Sequence, residues 1–424
     1  MTKNRKILRF VICSIIFIVS FIIFWLSVPH SFNTVNEHRK YFDSDGEFIV
    51  RQFRQEKTYT HNDHLLYHIT GKSLHNYGFL FPGIYQDPVK AHKFMSAVSG
   101  ALGITLLYLL GLFLTGNEFA SLLSSMAIAG CAGWWFFSAT IDTYMPCLCV
   151  SILSLCLALM FLRKPDILLA FLLGSSTGLA FLFRTDSFLL ISLGLVLLYH
   201  IKNKNCWKYA ASVVLGGITT GALGYLILAH ICYDVEWSDV PTWALGHLNR
   251  PEAEAEKIWG IAKNLSLQNF RLTLVNQFFY SVCLPDLDTT RNSSLFATYV
   301  KGAWFSVFFY ITLLTAAVYF SAKKTIQSIR KREYEFIFIL AIAVLWLVPR
   351  TIFYVWWDPY DPFLFAVMSL PALWLIIQTG LSHGLKNNSK NIRTIIMSLF
   401  VLTTLGIWTH NIYYLIIPLR NLCK

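Results

Sequence analysis

Charged residues are scarce in this chain. Of its 424 residues, 14% are Asp, Glu, Lys or Arg, whereas 55% are hydrophobic. A soluble globule of this composition would expose far too much apolar surface to water. The shortage of charge therefore excludes an ordinary soluble protein and indicates an integral membrane protein.

Several familiar motifs are also missing from the sequence. No cysteine pair has the spacing of a zinc site, and neither an internal repeat nor a low-complexity tract is present. These absences argue against a zinc-dependent module and against a repeat array. Cys232 and Cys283 fall in one outer segment and could pair in an oxidising compartment, which sequence alone does not decide.

The apolar run at residues 7–28 follows a basic start, as a signal peptide does. It is longer than the roughly 7–15 apolar residues of a signal peptide and lacks an Ala-x-Ala-like cleavage site, so we interpret it as a retained helix. Further apolar stretches predict spans near residues 94–114, 119–137, 144–162, 167–183, 188–200, 209–231, 304–322, 336–348, 363–379 and 395–409. The expected fold is all-α and polytopic, with about eleven transmembrane helices in a single membrane domain over 1–424.

Two polar segments are long enough for structure of their own, residues 29–93 and 232–302. Their aromatic content and partial helical periodicity predict short amphipathic helices on the membrane surface, the second segment forming a helical cap. Basic clusters mark the cytosolic ends of the spans, at residues 3–6, 163–164, 202–208, 323–332 and 386–393. Both long segments therefore lie outside the cytosol.

This topology accounts for the net charge of +12, so no nucleic-acid partner is expected. The partners that remain are the lipid bilayer and whatever binds on the outer side. Composition and compact loops favour a bacterial inner membrane with the outer segments in the periplasm, and the endoplasmic reticulum is the alternative.

An acidic cluster follows the first span. Asp43, Asp45 and Glu47 are three carboxylates in five positions. Like-charge repulsion and partial desolvation raise the pKa of at least one of them, which suits a general base acting on a hydroxyl group. The alternative is an acidic N-cap for the segment that follows.

Histidines and a second isolated acid add candidates on the outer side. His61 and His64 belong to a polar stretch that could bind a phosphate or an acceptor, and this interpretation is favoured over a zinc centre. Asp142 stands between two apolar segments. It is either a substrate-orienting carboxylate or the N-cap of a helix that begins at Tyr144.

Two arginines break the charge bias, because they stand on the side where short loops should lack cations. Arg184 could clamp a phosphate through its planar fork of donors, or it could simply pair with Asp186 and cap the next helix. Arg350 precedes an aromatic stretch with Asp358 at the same depth. That stretch is either a sugar pocket or an interfacial aromatic belt.

Five segments, taken in order, resemble the first 200 or so residues of polytopic glycosyltransferases of the GT-C superfamily. They are Phe-Asp-Ser-Asp-Gly-Glu-Phe at 42–48, the stretch 61–72 that ends in His-Ile-Thr-Gly-Lys, and residues 93–102, 135–144 and 178–186. The branch that they resemble most is related to protein O-mannosyltransferases. The resemblance implies inverting transfer of a sugar from a polyprenyl-phosphate donor to a hydroxyl acceptor at the outer face.

The resemblance also implies roles for individual residues. It assigns the base to Asp45 or Asp43 and the donor phosphate to Arg184, and it places Asp142 where many relatives have a Glu. The chain has Asp-Ser-Asp-Gly-Glu instead of the usual Asp-Glu pair, so the identity of the base stays open. An Asp-x-Asp spacing could hold a divalent ion, but relatives with monophosphate donors generally need none, and no metal or cofactor is expected.

Other classes remain as alternatives. A transporter or flippase for a lipid-linked or anionic substrate would also have many helices and intramembrane charge, but such sites usually lie near the midplane of repeated units. A non-catalytic scaffold is a further possibility. The gathering of acids and cations at one face favours an enzyme that joins a membrane-bound donor to an outer acceptor.

Overall fold

A computed structural model describes residues 3–30, 46, 49, 63–77, 87–244, 266–284, 296–357 and 366–421. Regular secondary structure in these ranges is helical throughout, as predicted. The α-helices are α1 Lys3–Ser27, α2 Leu65–Tyr77, α3 Pro88–Thr115, α4 Glu118–Gly130, α5 Ala132–Ala139, α6 Tyr144–Arg163, α7 Ile167–Phe183, α8 Leu195–Tyr199, α9 Cys206–Gly217, α10 Leu223–Tyr233, α11 Val240–Ala244, α12 Leu267–Val275, α13 Phe296–Lys331, α14 Glu335–Trp357, α15 Leu370–Asn387, α16 Lys390–Asn411 and α17 Ile417–Asn421. Short 3₁₀ helices occupy Thr185–Gly194 and Ala366–Ser369, and π-helical turns occupy Ile218–Ala222, Asn276–Tyr280 and Ile412–Ile416.

The protein is an integral, multi-pass membrane protein, but the predicted count of eleven spans is not confirmed. Seven helices within the described residues are long and apolar enough to cross a membrane, and the bent pair α4 and α5 makes an eighth if it is one span. The stretch predicted at 188–200 forms a 3₁₀ helix and the five-residue α8 instead of a continuous span. Hydropathy finds apolar stretches, but it does not show where a helix bends or tightens.

The span predicted at 119–137 is broken by a bend of 66° between α4 and α5. At the break Cys131 adopts an extended backbone conformation, so the N–H groups that follow it have no partner within the helix. Ala132 donates to the carbonyl of Val282 at 3.1 Å, and Gly133 donates to that of Ser281 at 2.9 Å. The second outer segment thus supplies the backbone acceptors that a broken helix needs in apolar surroundings.

Part of this second outer segment is buried in the bundle. Residues 276–284 include several side chains with no exposed surface. Asn411 holds their end, because its Nδ2 donates to the carbonyls of Gly130 at 2.8 Å and Val282 at 2.7 Å, while its Oδ1 accepts from the Leu284 N–H at 3.1 Å. The structure therefore differs here from the predicted surface helix, since the segment completes the hydrogen bonding of the core.

Close helix packing fixes the position of α7. A Cβ added at Gly174 would lie 2.0 Å from the carbonyl oxygen of Val213, and one at Gly178 would lie 2.6 Å from the amide nitrogen of Gly221. Only glycine allows backbones to approach this closely in a membrane bundle. The outer end of α7, where Arg184 follows, is positioned by this contact.

The cysteine pairing considered from the sequence does not occur in this structure. Cys232 and Cys283 are both free thiols, and Cys283 is buried in the core.

Candidate functional site

Five of the predicted site residues lie within the described ranges: His64, Asp142, Arg184, Asp186 and Arg350. The other five lie outside them: Asp43, Asp45, Glu47, His61 and Asp358. The roles assigned to that second group stay predictions.

Arg184 is held on three sides. Its Nε donates to Oδ1 of Asp186 at 3.2 Å, and its Nη1 donates to Oγ1 of Thr143 at 2.7 Å. Its guanidinium carbon lies 3.9 Å from the centre of the Tyr144 ring, within cation–π range. Burial lowers the pKa of Arg184, but the neighbouring groups, Asp186 first among them and Asp142 as well, outweigh burial and raise it, so the side chain stays charged.

Asp142 sits in the turn between α5 and α6. Thr143 is the N-cap of α6, so Asp142 is not the cap that was considered as its alternative role. Its Oδ1 accepts hydrogen bonds from the N–H of Thr143 at 2.6 Å and from the Thr143 hydroxyl at 3.3 Å. Because Thr143 in turn accepts from Arg184, Asp142 fixes the orientation of the group that holds this arginine.

Arg350 lies on α14 and has no exposed surface. None of its three guanidinium nitrogens has a hydrogen-bond partner among the described residues. The carboxylate oxygen Oδ2 of Asp186 is 4.0 Å from Nη1 and likewise has no hydrogen-bond partner within those ranges. Leaving a buried charge without hydrogen bonds is expensive, so Arg350 is a candidate to bind an anion.

Two aromatic residues that the sequence analysis did not single out flank this arginine. The guanidinium carbon is 5.5 Å from the centre of the Trp346 ring. The Tyr354 hydroxyl group lies close enough to Arg350 to interact with it, although the two groups do not meet the geometric criteria of a hydrogen bond. Both residues stand four positions from Arg350, so all three share one face of α14. That spacing was the signal that could have revealed them.

The first outer segment reaches this site at Asp63 and His64. Thr185, next to Arg184, donates its N–H to the carbonyl of Asp63 at 3.1 Å and its hydroxyl to Oδ1 of Asp63 at 3.1 Å. His64 is buried beside this contact, at the entry to α2. The bonds between Asp63 and Thr185 were not anticipated from the sequence.

The contacts of Arg184, Asp142 and Arg350 described above connect four charged residues, which we call the arginine–aspartate cluster: Asp142, Arg184, Asp186 and Arg350. Its members come from the turn before α6, the turn after α7 and the outer half of α14. No group of three or more His, Cys, Asp or Glu residues in the described part of the chain is arranged to hold a metal ion. The chemistry available at the cluster is recognition of an anion by buried guanidinium groups.

The cluster lies at one end of the bundle. Asp142 precedes the 20-residue α6, and Arg163 is at the other end of that helix. Arg163 pairs with Glu335 at the start of α14, with Nε and Oε1 2.8 Å apart. A 20-residue helix is about 30 Å long, close to the hydrocarbon thickness of a bilayer. The cluster and the basic clusters therefore belong to opposite faces, as the charge bias predicts.

Comparison with solved structures finds the same architecture. The crystal structure of ArnT from Cupriavidus metallidurans bound to undecaprenyl phosphate aligns with a TM-score of 0.52 and 12% identity, over 100% of this chain and 78% of that one. The apo structure aligns with a TM-score of 0.53 and 13% identity, over 99% and 77%. The chain shares the fold of ArnT.

At this identity the likeness concerns the fold. It supports the polytopic, all-helical fold that the sequence predicts, whereas the branch related to protein O-mannosyltransferases is not confirmed. The sequence matches no protein-family model, and a search of curated proteins finds no match.

Proposed function

We propose that this protein is a membrane glycosyltransferase that moves a sugar from a polyprenyl-phosphate donor to a hydroxyl group on the non-cytosolic face. The observation that carries the proposal is Arg350, a fully buried guanidinium group with no hydrogen-bond partner in the described ranges. Two further facts support it: the fold is that of a protein crystallised with undecaprenyl phosphate, and the sequence resembles the GT-C superfamily.

The donor phosphate binds at Arg350, and Arg184 adds a second positive charge. A guanidinium group suits this task because its planar donors match two phosphate oxygens at once. Arg184 uses Nε and Nη1 on Asp186 and Thr143, so its contribution is mainly electrostatic. His64, buried where the first outer segment enters the site, assists on the same side.

The reaction needs a base and a stabilised leaving group. One of Asp43, Asp45 and Glu47 takes the acceptor proton while the acceptor oxygen attacks the anomeric carbon from the face opposite the phosphate. The bond between that carbon and the phosphate oxygen breaks, and its electron pair stays on the phosphate. The configuration at the anomeric carbon inverts because attack and departure take place on opposite faces. The arginines stabilise this developing charge, a contact whose loss typically costs on the order of 10²–10³ in rate.

The remaining acids and histidine orient the reactants. Asp142 and Asp186 do so from the cluster, and His61 and Asp358 act from the outer segments as sugar or acceptor contacts. No metal ion takes part in this scheme. In a bacterium the site faces the periplasm from the inner membrane.

The test is a transfer assay with the purified protein, a radiolabelled polyprenyl-phosphate sugar and acceptor extracts. We expect release of polyprenyl phosphate with labelled acceptor, and we expect Arg350→Gln to lose at least about 100-fold in rate. The matched control is Arg163→Gln, which removes an arginine from the opposite end of the bundle and should keep activity. Tight donor binding without turnover would instead identify a transporter or a scaffold.

A further inference from the structure

We propose that the negative charge of Asp186 sets the charge preference of the site. It lets the site bind a phosphodiester with one negative charge, and it weakens binding of the phosphomonoester that remains after transfer. Asp186 is then a specificity-determining residue of the reaction. The inference rests on the proposed function, because it concerns the charge of the donor and of the product at the same site.

Asp186 stands between the two guanidinium groups. Its Oδ1 accepts from Nε of Arg184 at 3.2 Å, and its Oδ2 faces Nη1 of Arg350 at 4.0 Å. At 4.0 Å the second contact is too long for a hydrogen bond, so the carboxylate faces Arg350 without satisfying it. A phosphate that binds to Arg350 therefore binds beside a negative charge that is already in place.

The charges of the cluster nearly cancel. Two arginines contribute two positive charges, and Asp186 and Asp142 contribute two negative ones. The Oδ1 of Asp142 is engaged with Thr143, whereas Asp186 faces Arg350 directly. All four side chains are buried, so water screens these charges only weakly. A cluster whose formal charges sum to zero accepts a monoanion more readily than a dianion.

Donor and product differ in just this property. A polyprenyl-phosphate sugar is a phosphodiester with one ionised oxygen. When the bond from the anomeric carbon to the phosphate oxygen breaks, the electron pair stays with the phosphate, and the product is a monoester with a charge of about −1.5 to −2 at pH 7. For a phosphate about 6 Å from Asp186, Coulomb's law at an effective dielectric of 20–40 gives a repulsion worth roughly 10- to 100-fold in affinity per added charge.

The test compares two ligands that share their lipid chain and differ by a methyl ester, which removes one ionisable oxygen. Farnesyl phosphate, a monoester, and farnesyl methyl phosphate, a diester, are titrated at pH 8 into the purified full-length protein, with binding followed by calorimetry. Asp186→Asn removes the charge and keeps an oxygen that can accept from Arg184. We expect the preference for the monoester over the diester to rise about 10-fold or more in this variant.

Glu118→Gln is the matched control. It removes the same unit of charge from a residue that pairs with Arg9, at the start of α4 and outside the cluster. The ligand preference of this variant should equal that of the wild type. A change of equal size in both variants would mean that net charge alone sets the preference, and the inference would fail.

The remaining outcomes are equally decisive. The inference is overturned if Asp186→Asn raises the affinity for both ligands by the same factor, or lowers the affinity for both. In either case Asp186 does not distinguish the two charges and acts only by positioning Arg184. If that variant does not elute as a folded protein, the wild type decides: a preference above about 10-fold for the monoester contradicts the inference. Failure of the wild type to bind either ligand removes the proposed function as well, whereas binding of both with a preference that ignores Asp186 removes this inference alone.

Discussion

The two arginines of the cluster should respond to the same substitution with opposite changes in stability. Arg350 is fully buried, and its guanidinium nitrogens have no hydrogen-bond partner within the described residues. Replacing such a group with an apolar side chain of similar length removes a desolvated charge. Replacements of buried ionic groups by apolar ones are often neutral or stabilising by about 1–4 kcal/mol. We therefore expect Arg350→Met to keep or raise the stability of the ligand-free protein while it abolishes transfer.

Arg184→Met should do the reverse. This arginine holds Asp186 at 3.2 Å and Thr143 at 2.7 Å, so its loss leaves a buried carboxylate without its main partner. Breaking a buried ion pair by removing one side typically costs about 3–5 kcal/mol. Arg350, whose Nη1 is 4.0 Å from Asp186, compensates for part of this loss, which places the expected cost at the lower end of that range.

Thermal unfolding of both variants in the same detergent, followed by intrinsic fluorescence, makes the comparison. The expected order of unfolding temperature is Arg350→Met at or above the wild type and Arg184→Met below it. The transfer assay, run in parallel, should find both variants inactive. A loss of stability in Arg350→Met as large as that in Arg184→Met would refute the reasoning, because Arg350 would then be satisfied by the protein itself and would not be free for a phosphate.

Three further predictions follow from other parts of the molecule. Gly178→Leu should sharply reduce the yield of folded protein in size-exclusion chromatography, because its Cβ would lie 2.6 Å from the backbone nitrogen of Gly221. The control is Gly194→Ala, whose Cβ would have no atom within 4 Å and which should be tolerated. Equal yields of the two variants would contradict the close packing of α7. Asn411→Ala removes a hydrogen bond from the carbonyls of Gly130 and Val282 and from the N–H of Leu284, at about 1–3 kcal/mol for each buried group left unpaired, although Val282 still accepts from Ala132. We expect this variant to open residues 276–284 and make Cys283 reactive to a maleimide; continued protection would mean that Asn411 is dispensable for holding this segment. Asp45→Asn should fold and insert but lose turnover, and normal activity would move the base to another acid of the 43–47 cluster.

The sequence identified the two arginines because of where they stand. Short outer loops should lack cations, and both Arg184 and Arg350 break that rule. Asp142 and Asp186 were conspicuous for a related reason, since an acid between apolar helices needs a partner or a task. Residue type and position along a hydropathy pattern are local properties, so they can be read without knowing which helices are neighbours.

The sequence left open which arginine is paired. It offered a phosphate clamp or an Arg184–Asp186 pair as alternatives, and the structure contains that pair while leaving Arg350 without a hydrogen bond in the described ranges. The bend at Cys131 and the buried residues 276–284 were likewise not anticipated. Both depend on hydrogen bonds between segments about 150 residues apart, as in the contact of Ala132 with Val282.

The amino-acid sequence by itself determined that the chain is a helical membrane protein, and it predicted that the exceptional charges gather at one face, because hydropathy and charge bias act residue by residue. Tertiary structure alone decided how those charges pair. The partner of a buried guanidinium group depends on distances of a few ångströms between helices, and those distances are set by packing, such as the glycine contacts that position α7. In a medium that water does not enter, charges are weakly screened, so each buried charge must find its partner among the neighbours that packing supplies.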